Sequence, residues 1–362
     1  MELPEAPWLR WLLAPAGLLY RGGVALRNLL YRKRVLKPCR VGVPVISVGN
    51  LDAGGSGKTS FVAYLAGRMR EAGRRVAVAS RGYGGRRHDV PVTVSGGNGS
   101  LADAAVVGDE PVLLAGLLPS TVVVVCRDRA AAARFARDRH GSDLVILDDG
   151  FQHRRIHRDL DLLLVDAGEG LGNGRMMPLG PLREPMEEMR RADALVITGA
   201  ASELPKCAVK IREELRRLSL RIPVFACERR VEGFLRVETE ETVPAAALKG
   251  MKVLAFSGIA RPLSFEADLR SLELNLVEAI RFRDHQPFGA PQLERIRAAA
   301  RRSGADLIVT TEKDRMRLGT VRFPVPLYTL RIRLVPQDEE GLWAFVSGRL
   351  PAPPAAPQVA GA

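Results

Sequence analysis

The sequence predicts an α/β fold with a doubly wound, mostly parallel sheet, a second, smaller α/β domain and an N-terminal amphipathic helix. Three observations support this prediction. A glycine-rich loop joins an apolar, β-branched run to a helical pattern within residues 43–69. Apolar runs then alternate with helical patterns, as they do in doubly wound sheets. The length of 362 residues is enough for about two domains.

The first element is a basic, apolar segment at residues 1–37. No acidic residue occurs between residues 6 and 51, whereas basic residues, leucines and two tryptophans, Trp8 and Trp11, occur throughout its first part. The longest uncharged run, residues 11–20, is about half of the roughly 20 residues that span a membrane. We predict a helix that lies in the membrane interface with tryptophan anchors, and the alternative is a basic helix packed on the protein's own core. A helical projection gives it one polar stripe, formed by Arg10, Gly17, Arg21, Asn28 and Arg32.

The second element is the glycine-rich loop at residues 52–59. It follows a predicted strand at residues 43–48 and precedes a predicted helix at residues 61–69. The backbone N–H groups of such a P-loop surround phosphates, its lysine reaches the β- and γ-phosphates, and its hydroxyl binds Mg²⁺. Lys58 and Thr59 have these positions, which predicts binding of a nucleoside triphosphate. The residues assigned to this cofactor are Asp52, Ala53, Gly54, Gly55, Ser56, Gly57, Lys58 and Thr59.

Further apolar runs predict the remaining strands of a P-loop domain at residues 38–228. These runs are apolar throughout instead of alternating, as expected for parallel strands that helices cover on both faces. The helical patterns between them include residues 130–139. The strands are predicted at residues 43–48, 75–80, 121–125, 144–147, 160–165 and 194–198.

The pattern changes after residue 228. Short alternating stretches predict an antiparallel β connector at residues 229–250, and a second α/β unit follows at residues 251–349. The tail at residues 350–362 is rich in proline and alanine and is predicted to be disordered. The predicted strands of the second unit are residues 252–257, 278–281, 307–311 and 325–330.

Two pairs of adjacent carboxylates are candidates for metal binding and catalysis. Asp148 and Asp149 follow the strand at residues 144–147, where a P-loop protein holds the carboxylate that orders Mg²⁺. Asp148 is the better placed of the two, although such an aspartate can also be a helix cap or a turn residue. Asp109 and Glu110 precede a predicted helix, where the sequence is equally compatible with helix capping and with a catalytic base or Mg²⁺ group. The residues assigned to the metal are Thr59, Asp148, Asp149 and Glu110.

Polar loops supply candidate groups for an anionic acceptor. The loop at residues 80–87 places arginines beside Tyr83, a combination that suits a phosphate or a sugar, although an ordinary basic turn is the alternative. A long loop rich in glycine and proline contains Arg183 and could close over a substrate. His285 is a lone histidine, which is more often structural than catalytic. The residues assigned to substrate binding are Arg81, Tyr83, Arg127, Gln152 and Arg183.

The composition limits the class of partner. The chain has 54 lysines and arginines against 41 aspartates and glutamates, a net charge of +13, which implies a nucleic acid, a membrane surface or a phosphorylated substrate. Aromatic residues make up only 5% and no stacking motif occurs, which argues against nucleic acid. The four cysteines are far apart, which predicts a reducing, cytoplasmic setting without a zinc site.

The ordered set of these motifs resembles the tetraacyldisaccharide 4′-kinase family of lipid A biosynthesis. The resemblance covers most of the chain and is far more specific than a P-loop alone. The motifs that carry it are Ser47-Val48-Gly49-Asn50-Leu51, Gly54-Gly55-Ser56-Gly57-Lys58-Thr59, Ser80-Arg81-Gly82-Tyr83-Gly84, Gly108-Asp109-Glu110-Pro111, Asp148-Asp149-Gly150-Phe151-Gln152-His153, Gly172-Asn173-Gly174-Arg175, Gly180-Pro181-Leu182-Arg183-Glu184-Pro185, Ser257-Gly258-Ile259-Ala260-Arg261-Pro262, Asp284-His285 and Thr310-Thr311-Glu312-Lys313-Asp314.

The resemblance implies transfer of the γ-phosphoryl group of ATP, with Mg²⁺, to the 4′-hydroxyl of an acylated, β-1,6-linked glucosamine disaccharide 1-phosphate, which makes lipid IVA. It implies that Asp109 is the catalytic base and that His285 assists it; with Lys58 these are the predicted catalytic residues. It also implies attachment to the cytoplasmic face of the bacterial inner membrane through the N-terminal helix. The expected partners are an anionic acylated disaccharide lipid and a membrane surface, without nucleic acid or an obligate protein partner.

Two other classes of P-loop protein fit the sequence less well. A partitioning ATPase carries a second lysine before the paired glycines, where Ala53 stands, and Asp52 replaces the first glycine of the common loop pattern. A GTPase or metallochaperone needs a guanine-reading motif, which residues 311–314 do not match because their lysine and aspartate are adjacent. ATP consumption measured with and without the lipid disaccharide distinguishes these classes from the kinase.

Overall fold

A computed structural model of the chain describes residues 7–86, 88–98 and 102–353, with the backbone alone for residues 7–12. Its helices are α1 (Pro7–Arg32), α2 (Lys58–Glu71), α3 (Ala104–Val107), α4 (Asp109–Leu117), α5 (Arg129–His140), α6 (Leu204–Arg217), α7 (Pro262–Ser271), α8 (Ala290–Ser303), α9 (Glu312–Arg315) and α10 (Glu339–Ser347). Its strands are β1 (Val45–Asn50), β2 (Val76–Ser80), β3 (Val92–Gly96), β4 (Val122–Val125), β5 (Leu144–Asp148), β6 (Leu160–Asp166), β7 (Ala194–Gly199), β8 (Val224–Arg236), β9 (Thr242–Val243), β10 (Lys252–Ser257), β11 (Asn275–Arg281), β12 (Leu307–Thr311) and β13 (Leu327–Pro336). Two 3₁₀ helices span Met186–Arg191 and Ala245–Leu248.

The strands form one continuous, mostly parallel sheet. β1 lies between β5 and β6, and parallel pairing continues through β2 and β4 on one side and through β7 and β8 on the other. β1, β2, β5, β6 and β7 are buried along their whole lengths, which explains why their sequences are apolar instead of alternating. The complete order is β11-β10-β12-β13-β8-β7-β6-β1-β5-β2-β4-β3, with β9 paired to β8. The predicted α/β fold with a parallel-dominated sheet is confirmed.

The long strand β8 joins the two predicted units. It begins in parallel with β7, with Val224 beside Leu195, and continues antiparallel to β13 as far as Arg236 beside Tyr328. From β13 the sheet continues in parallel through β12, β10 and β11. The predicted antiparallel connector thus corresponds to the second half of β8 with β9, and both units share one sheet. The domain boundaries at residues 228 and 250 stay predictions.

The last helix packs on the helix that follows the P-loop. Leu342 and Val346 of α10 belong to the same buried apolar cluster as Phe61 and Leu65 of α2. Although α10 falls within the predicted second unit, β13 ends at Pro336 on the P-loop side of the sheet, so the helix that follows begins beside α2.

Helix α1 packs one face on the body of the protein. Gly17 and Asn28, two members of the predicted polar stripe, are buried on this face. Asn28 Oδ1 accepts a hydrogen bond from Arg154 Nη1 over 2.9 Å. The neighbouring Arg27 forms an ion pair with the fully buried Glu184. Two members of the predicted stripe are therefore buried against the protein, since Gly17 packs on Pro178 and Leu179 and Asn28 contacts Arg154.

The outward face of α1 is apolar. Leu18, Leu19 and Leu26 are 69%, 79% and 57% exposed, and Arg21 and Arg32 of the predicted stripe are exposed as well. The side chains of Trp8, Arg10 and Trp11 lie outside the described residues, as does the predicted tail from residue 354 onward. Within the described part of the chain, no helix is both long enough and apolar enough to cross a membrane.

Candidate active site

The carboxyl ends of the central strands open into a cavity of about 990 Å³. In a parallel sheet the loops after these ends meet at one edge, which is where doubly wound folds bind ligands. The P-loop and the loop after β5 line one wall of the cavity. His285 and Lys313 of the second unit line the same cavity. The cavity therefore collects residues that lie far apart along the chain.

Side chains of the neighbouring strands hold the P-loop. Asn50, at the end of β1, accepts a hydrogen bond from Lys58 Nζ over 2.9 Å. Gly57 precedes α2 with a φ of 71°, a left-handed conformation that favours glycine. The Thr198 hydroxyl of β7 donates to the Ser56 carbonyl oxygen over 2.8 Å. These contacts fix the loop at the N-terminus of α2, where free backbone N–H groups attract phosphate.

Asp52 has a structural role at the start of the P-loop. Its carboxylate accepts a hydrogen bond from Asn50 Nδ2 and lies 3.6 Å from Arg261 Nη2. Arg261 also pairs with Asp166 at the end of β6. An arginine of the second unit thus contacts the P-loop, a contact that sequence reasoning missed because neither residue signals the other locally. The side chain of Asp52 has these partners, while its role in nucleotide binding stays a prediction.

Asp148 and Asp149 have different environments. Burial, with the neighbouring charges of Glu110 and Asp149, raises the pKa of Asp148 to about 7. Burial also opposes ionisation of Asp149, but Lys58 and Arg183 outweigh it and lower its pKa to about 2. The Asp149 oxygens lie 3.5 Å from Lys58 Nζ and 2.8 Å from Arg183 Nη1. Asp149 is therefore a paired anion, whereas Asp148 is a desolvated carboxyl group with insufficient positive charge around it.

The residues assigned to the metal fit Mg²⁺ chemically. Thr59 and Asp148 line the cavity and offer the oxygen donors that Mg²⁺ prefers. The raised pKa of Asp148 marks a carboxylate whose ionised form a divalent cation would stabilise. Glu110 lies 3.1 Å from Lys313 Nζ, so its carboxylate already has a cationic partner. In residues 7–86, 88–98 and 102–353 no cluster of three or more His, Cys, Asp or Glu side chains is arranged around one point.

Asp109 and His285 form a hydrogen-bonded pair in which His285 lines the cavity and Asp109 is buried behind it. Asp109 begins α4 and is 3% exposed, and its Oδ2 lies 3.0 Å from His285 Nδ1. Burial opposes ionisation of Asp109, but the hydrogen bond from His285 and the charges of Lys313 and Arg317 lower its pKa below the ordinary value. The Tyr83 ring contacts the imidazole edge to face, with 4.8 Å between ring centroids. The histidine that the sequence alone left as a lone residue therefore has the predicted aspartate as its partner.

Glycines allow the two loops beside this pair to touch. A Cβ at Gly85 would lie 2.4 Å from the Gly108 backbone nitrogen, and a Cβ at Gly108 would lie 2.4 Å from the Tyr83 carbonyl oxygen. Only glycine permits this approach, and Gly108 also has a φ of 94°. The contact sets Tyr83, which lines the cavity, close to the buried Asp109. Arg87, the last residue of the first loop, lies outside the described residues.

All five residues assigned to substrate binding line the cavity. Arg81 and Tyr83 are exposed, and Arg127 lies 3.9 Å from Asp89 in a weak, exposed pair. Gln152 donates from Nε2 to the Asn50 carbonyl oxygen over 2.8 Å. Arg183 pairs with Asp149. The first three side chains are available to a ligand, whereas Gln152 and Arg183 also hold the walls of the cavity together.

Arg129 lines the same cavity and was missed from the sequence. It is 3% exposed, and its Nη1 donates weakly to two carbonyl oxygens of the preceding loop, over 3.4 and 3.5 Å. Among the described residues its guanidinium forms no ion pair, and burial lowers its pKa although the charges of Asp149 and Asp148 oppose that shift. Arg129 is therefore a further candidate for contact with an anionic ligand in the cavity. The signal available in the sequence was two arginines, Arg127 and Arg129, directly after an apolar strand.

The sheet, the glycine-rich loop after β1 and the aspartates after β5 together define a protein of the P-loop class. A sequence profile described as tetraacyldisaccharide-1-P 4′-kinase matches residues 9–351. The chain belongs to this family.

Relatives with established names agree with that assignment. Tetraacyldisaccharide 4′-kinase of Anaeromyxobacter dehalogenans is 41% identical over 328 residues, which cover 87% of this chain and 85% of that protein. The protein of the same name from Geobacter metallireducens is 41% identical over 310 residues, 86% of this chain and 89% of that protein. A crystal structure of LpxK from Aquifex aeolicus in complex with ATP matches with a TM-score of 0.73 and 34% identity, over 95% of this chain and 100% of that one. The resemblance predicted from the motifs is confirmed.

Proposed function

We propose that this chain transfers the γ-phosphoryl group of ATP to the 4′-hydroxyl of a tetraacyl glucosamine disaccharide 1-phosphate, which makes lipid IVA. The observation that carries the proposal is that the P-loop residue Lys58 and His285, which contacts Asp109, line one cavity. Family membership supports the donor and the acceptor, because the relatives are named tetraacyldisaccharide 4′-kinases and one of them was crystallised with ATP.

The P-loop binds the phosphates of ATP in this proposal. Backbone N–H groups of residues 53–57 and the N-terminus of α2 face the phosphates, and Lys58 leaves Asn50 and Asp149 to contact the β- and γ-phosphates. Thr59 and Asp148 would hold Mg²⁺, with Asp149 and Glu110 next to them. When bound, the ion neutralises charge on the phosphates and on the transferring group.

Asp109 acts as the general base. Its carboxylate accepts the proton of the acceptor hydroxyl as that oxygen bonds to the γ-phosphorus and the bond to the ADP oxygen breaks. His285 donates a hydrogen bond to Asp109 Oδ2 and orients the carboxylate. The low pKa of Asp109 keeps it ionised, and therefore ready to accept a proton, at neutral pH.

The acceptor is an anionic acylated lipid, and basic residues at the cavity recognise its charge. Arg81 and Arg127 are accessible to an anionic group, and Tyr83 offers a ring face to a sugar. Gln152 and Arg183 complete the wall of the cavity. The proposal includes neither nucleic acid nor an obligate protein partner.

The protein associates with the cytoplasmic face of the bacterial inner membrane through α1. Its outward face presents Leu18, Leu19 and Leu26, while Arg32, Lys33 and Arg34 follow at its end. Leucines with flanking basic residues suit an interfacial helix on an anionic membrane. The acyl chains of the substrate can then stay in the bilayer while its sugar reaches the cavity.

ATP consumption with and without the lipid acceptor tests this proposal. We expect the purified protein with Mg²⁺ to form ADP at a rate that depends on the tetraacyldisaccharide 1-phosphate, with one phosphate incorporated into the lipid for each ADP. Exposed Glu213→Gln is the control variant and keeps the wild-type rate. ADP formation at the same rate without lipid contradicts the proposal and favours a regulatory ATPase.

A further inference from the structure

Lys313 contacts three groups at the base of the cavity and has no role in the function proposed so far. It lies on the one-turn helix α9, which Thr311 caps by accepting a hydrogen bond from the Asp314 backbone nitrogen over 3.1 Å. Its Nζ lies 3.1 Å from Glu110 Oε1, 3.1 Å from His285 Nε2 and 3.5 Å from Asp284 Oδ1. The lysine therefore joins the start of α4 to the loop that carries the histidine.

The contact with Lys313 determines which imidazole nitrogen carries the proton. The Lys313 side chain lies between two carboxylates, Glu110 and Asp284, and a lysine ammonium group only donates hydrogen bonds. His285 Nε2 must then be the acceptor of the pair. A neutral imidazole has one donor and one acceptor nitrogen, so Nδ1 carries the hydrogen. That nitrogen lies 3.0 Å from Asp109 Oδ2 and donates to it.

A competing acceptor stands beside the ring. Asp284 Oδ1 lies 3.8 Å from His285 Nε2. Without Lys313, an Nε2–H group could donate to this carboxylate. The lone pair of Nδ1 would then face the Asp109 carboxylate, and the hydrogen bond between the pair would be lost. Lys313 removes this alternative because it occupies Nε2 and pairs with Asp284 at the same time.

Arg317, which follows Lys313 in the same segment, also contacts Asp109 and restricts its movement. Arg317 Nε lies 3.4 Å from Asp109 Oδ2, and Arg317 Nη2 donates to the Gly258 carbonyl oxygen over 2.8 Å. The fully buried Asp314 pairs with Arg317 and accepts from the Gly258 backbone nitrogen over 3.1 Å. Residues 311–317 thus place one cation on each member of the Asp109–His285 pair.

We propose that Lys313 is a positioning residue that fixes His285 in its Nδ1–H tautomer, so that the ring donates to Asp109. This inference rests on the proposed roles of Asp109 and His285 as the base and its orienting partner. It gives a function to the Thr-Thr-Glu-Lys-Asp motif at residues 310–314, whose sequence does not match the guanine-reading motif of a GTPase.

Nitrogen-15 NMR of the histidine side chains tests the inference directly. The chain has five histidines, and a His285→Gln spectrum identifies the signals of His285. In the wild-type protein at pH 8 we expect Nδ1 of His285 to have the shift of a protonated nitrogen and Nε2 that of an unprotonated one. In Lys313→Met we expect the two shifts to exchange or to average, whereas Lys313→Arg, which retains a donor, keeps the wild-type pattern.

Two results overturn the inference. One is a wild-type spectrum with the hydrogen on Nε2, a result that needs no variant to fold. The other is a folded Lys313→Met protein, checked by its melting curve, in which the His285 signals stay unchanged. The spectrum is recorded without turnover. Its result on the His285 tautomer is therefore independent of whether Asp109 is the general base.

Kinetics separate positioning from a general structural effect. We expect Lys313→Met to lower kcat by about 10- to 100-fold, as loss of an orienting partner does, with the KM for ATP within about threefold of wild type. Lys313→Arg recovers part of kcat. Lys249→Met removes an exposed lysine that is paired with Glu273 and leaves both constants unchanged. A kcat for Lys313→Met equal to that of Lys249→Met contradicts the positioning role.

Discussion

Asp148 and Asp149 are adjacent carboxyl groups whose pKa values shift in opposite directions. Asp149 is stabilised as an anion by Lys58 and Arg183, whereas burial and the nearby acidic groups disfavour ionisation of Asp148. A group whose pKa is raised on folding contributes stability that is present below its unfolded value and lost as the pH rises through its folded value. The ionised Asp148 therefore opposes folding above about pH 7, and this cost belongs to its proposed role as a metal ligand.

Substitution of Asp148 by asparagine tests this cost. In metal-free and nucleotide-free buffer at pH 8, we expect Asp148→Asn to raise the melting temperature, by roughly 1–2 °C for each kcal/mol of relieved burial. The increase in melting temperature is smaller at pH 5.5, because the Asp148 carboxyl group of the wild type is then protonated in the folded protein. Calorimetry at the two pH values measures both effects.

The same variant loses phosphoryl transfer in the proposed mechanism, so stability and activity change in opposite directions. A lower melting temperature for Asp148→Asn at pH 8, or an equal gain at both pH values, contradicts the interpretation of Asp148 as a desolvated acid. Glu213→Gln, on the exposed face of α6, is the control for the loss of one carboxylate.

Residues of the site differ in how well the sequence predicts them. Lys58, Thr59 and Asp148 follow from short local patterns, because a P-loop and a strand-ending aspartate are contiguous in sequence. His285 gains its role only from a partner in another part of the chain, and without the family resemblance the sequence favoured a structural histidine. The contacts of Lys313 and Arg129 were missed for the same reason, since tertiary packing determines them.

At the scale of elements, β1 and the loop after β5 approach closely at Gly49. A Cβ there would lie 2.7 Å from the Phe151 backbone nitrogen and 2.6 Å from the Phe151 Cβ. These atoms cannot move without displacing Asp148 and Asp149, which precede Phe151. The glycine therefore sets the spacing between the P-loop strand and the aspartates.

Substitution of Gly49 by alanine is expected to lower the free energy of unfolding by about 1–3 kcal/mol, because of overpacking, and to weaken ATP binding. Gly67→Ala is the matched control, since no atom lies within 4 Å of its Cβ position in α2, and it gains up to about 1 kcal/mol of helix propensity. Denaturant unfolding and ATP titration measure the two outcomes. Unchanged stability and ATP affinity in Gly49→Ala contradict the proposed role of the close approach.

One face of helix α1 packs on the rest of the protein, and the outward face makes the proposed membrane contact. Deletion of the helix would also remove Arg27 and leave the buried Glu184 without one of its partners, which confounds the result. A substitution on the outward face separates the two roles. We expect the double variant Leu18→Glu and Leu19→Glu to weaken binding to anionic phospholipid vesicles by at least about 100-fold, because each buried leucine contributes roughly 2 kcal/mol.

Vesicle sedimentation measures this loss, and ATP binding serves as the test that the cavity is intact. The matched control is Val209→Glu with Val277→Glu, two exposed apolar positions outside α1. Equal partitioning of the α1 variant and the wild type refutes the membrane contact, and an equal loss in the control variant shows that charge alone reduces binding.

At the scale of the whole molecule, one sheet carries both walls of the cavity. β8 and β13 connect the P-loop strands to the strands of the second unit, so His285 and Lys313 face the P-loop across a continuous structure. The contacts of Asp109 with His285 and of Glu110 with Lys313 join the two units directly. The proposed base and its partner therefore come from the two units that this sheet joins.

Most strands could be predicted from the sequence, but their assembly could not. Buried parallel strands such as β5 and β7 are uniformly apolar, so composition alone identifies them. The short edge strand β3 lacks this signal and was not predicted. The pairing of β8 with β13 and the return of α10 to α2 join distant parts of the chain, and no local pattern encodes such contacts.

The most direct test of the central claim is a single-turnover measurement of phosphoryl transfer from γ-labelled ATP to the tetraacyldisaccharide 1-phosphate. Wild type and Asp109→Asn are compared at saturating ATP, Mg²⁺ and acceptor, with melting curves to show that both are folded. We predict that Asp109→Asn transfers the phosphoryl group about 10²- to 10⁴-fold more slowly, because the acceptor hydroxyl has lost its base, while its affinity for ATP is unchanged. A folded Asp109→Asn protein that transfers phosphate within about threefold of the wild-type rate contradicts the account.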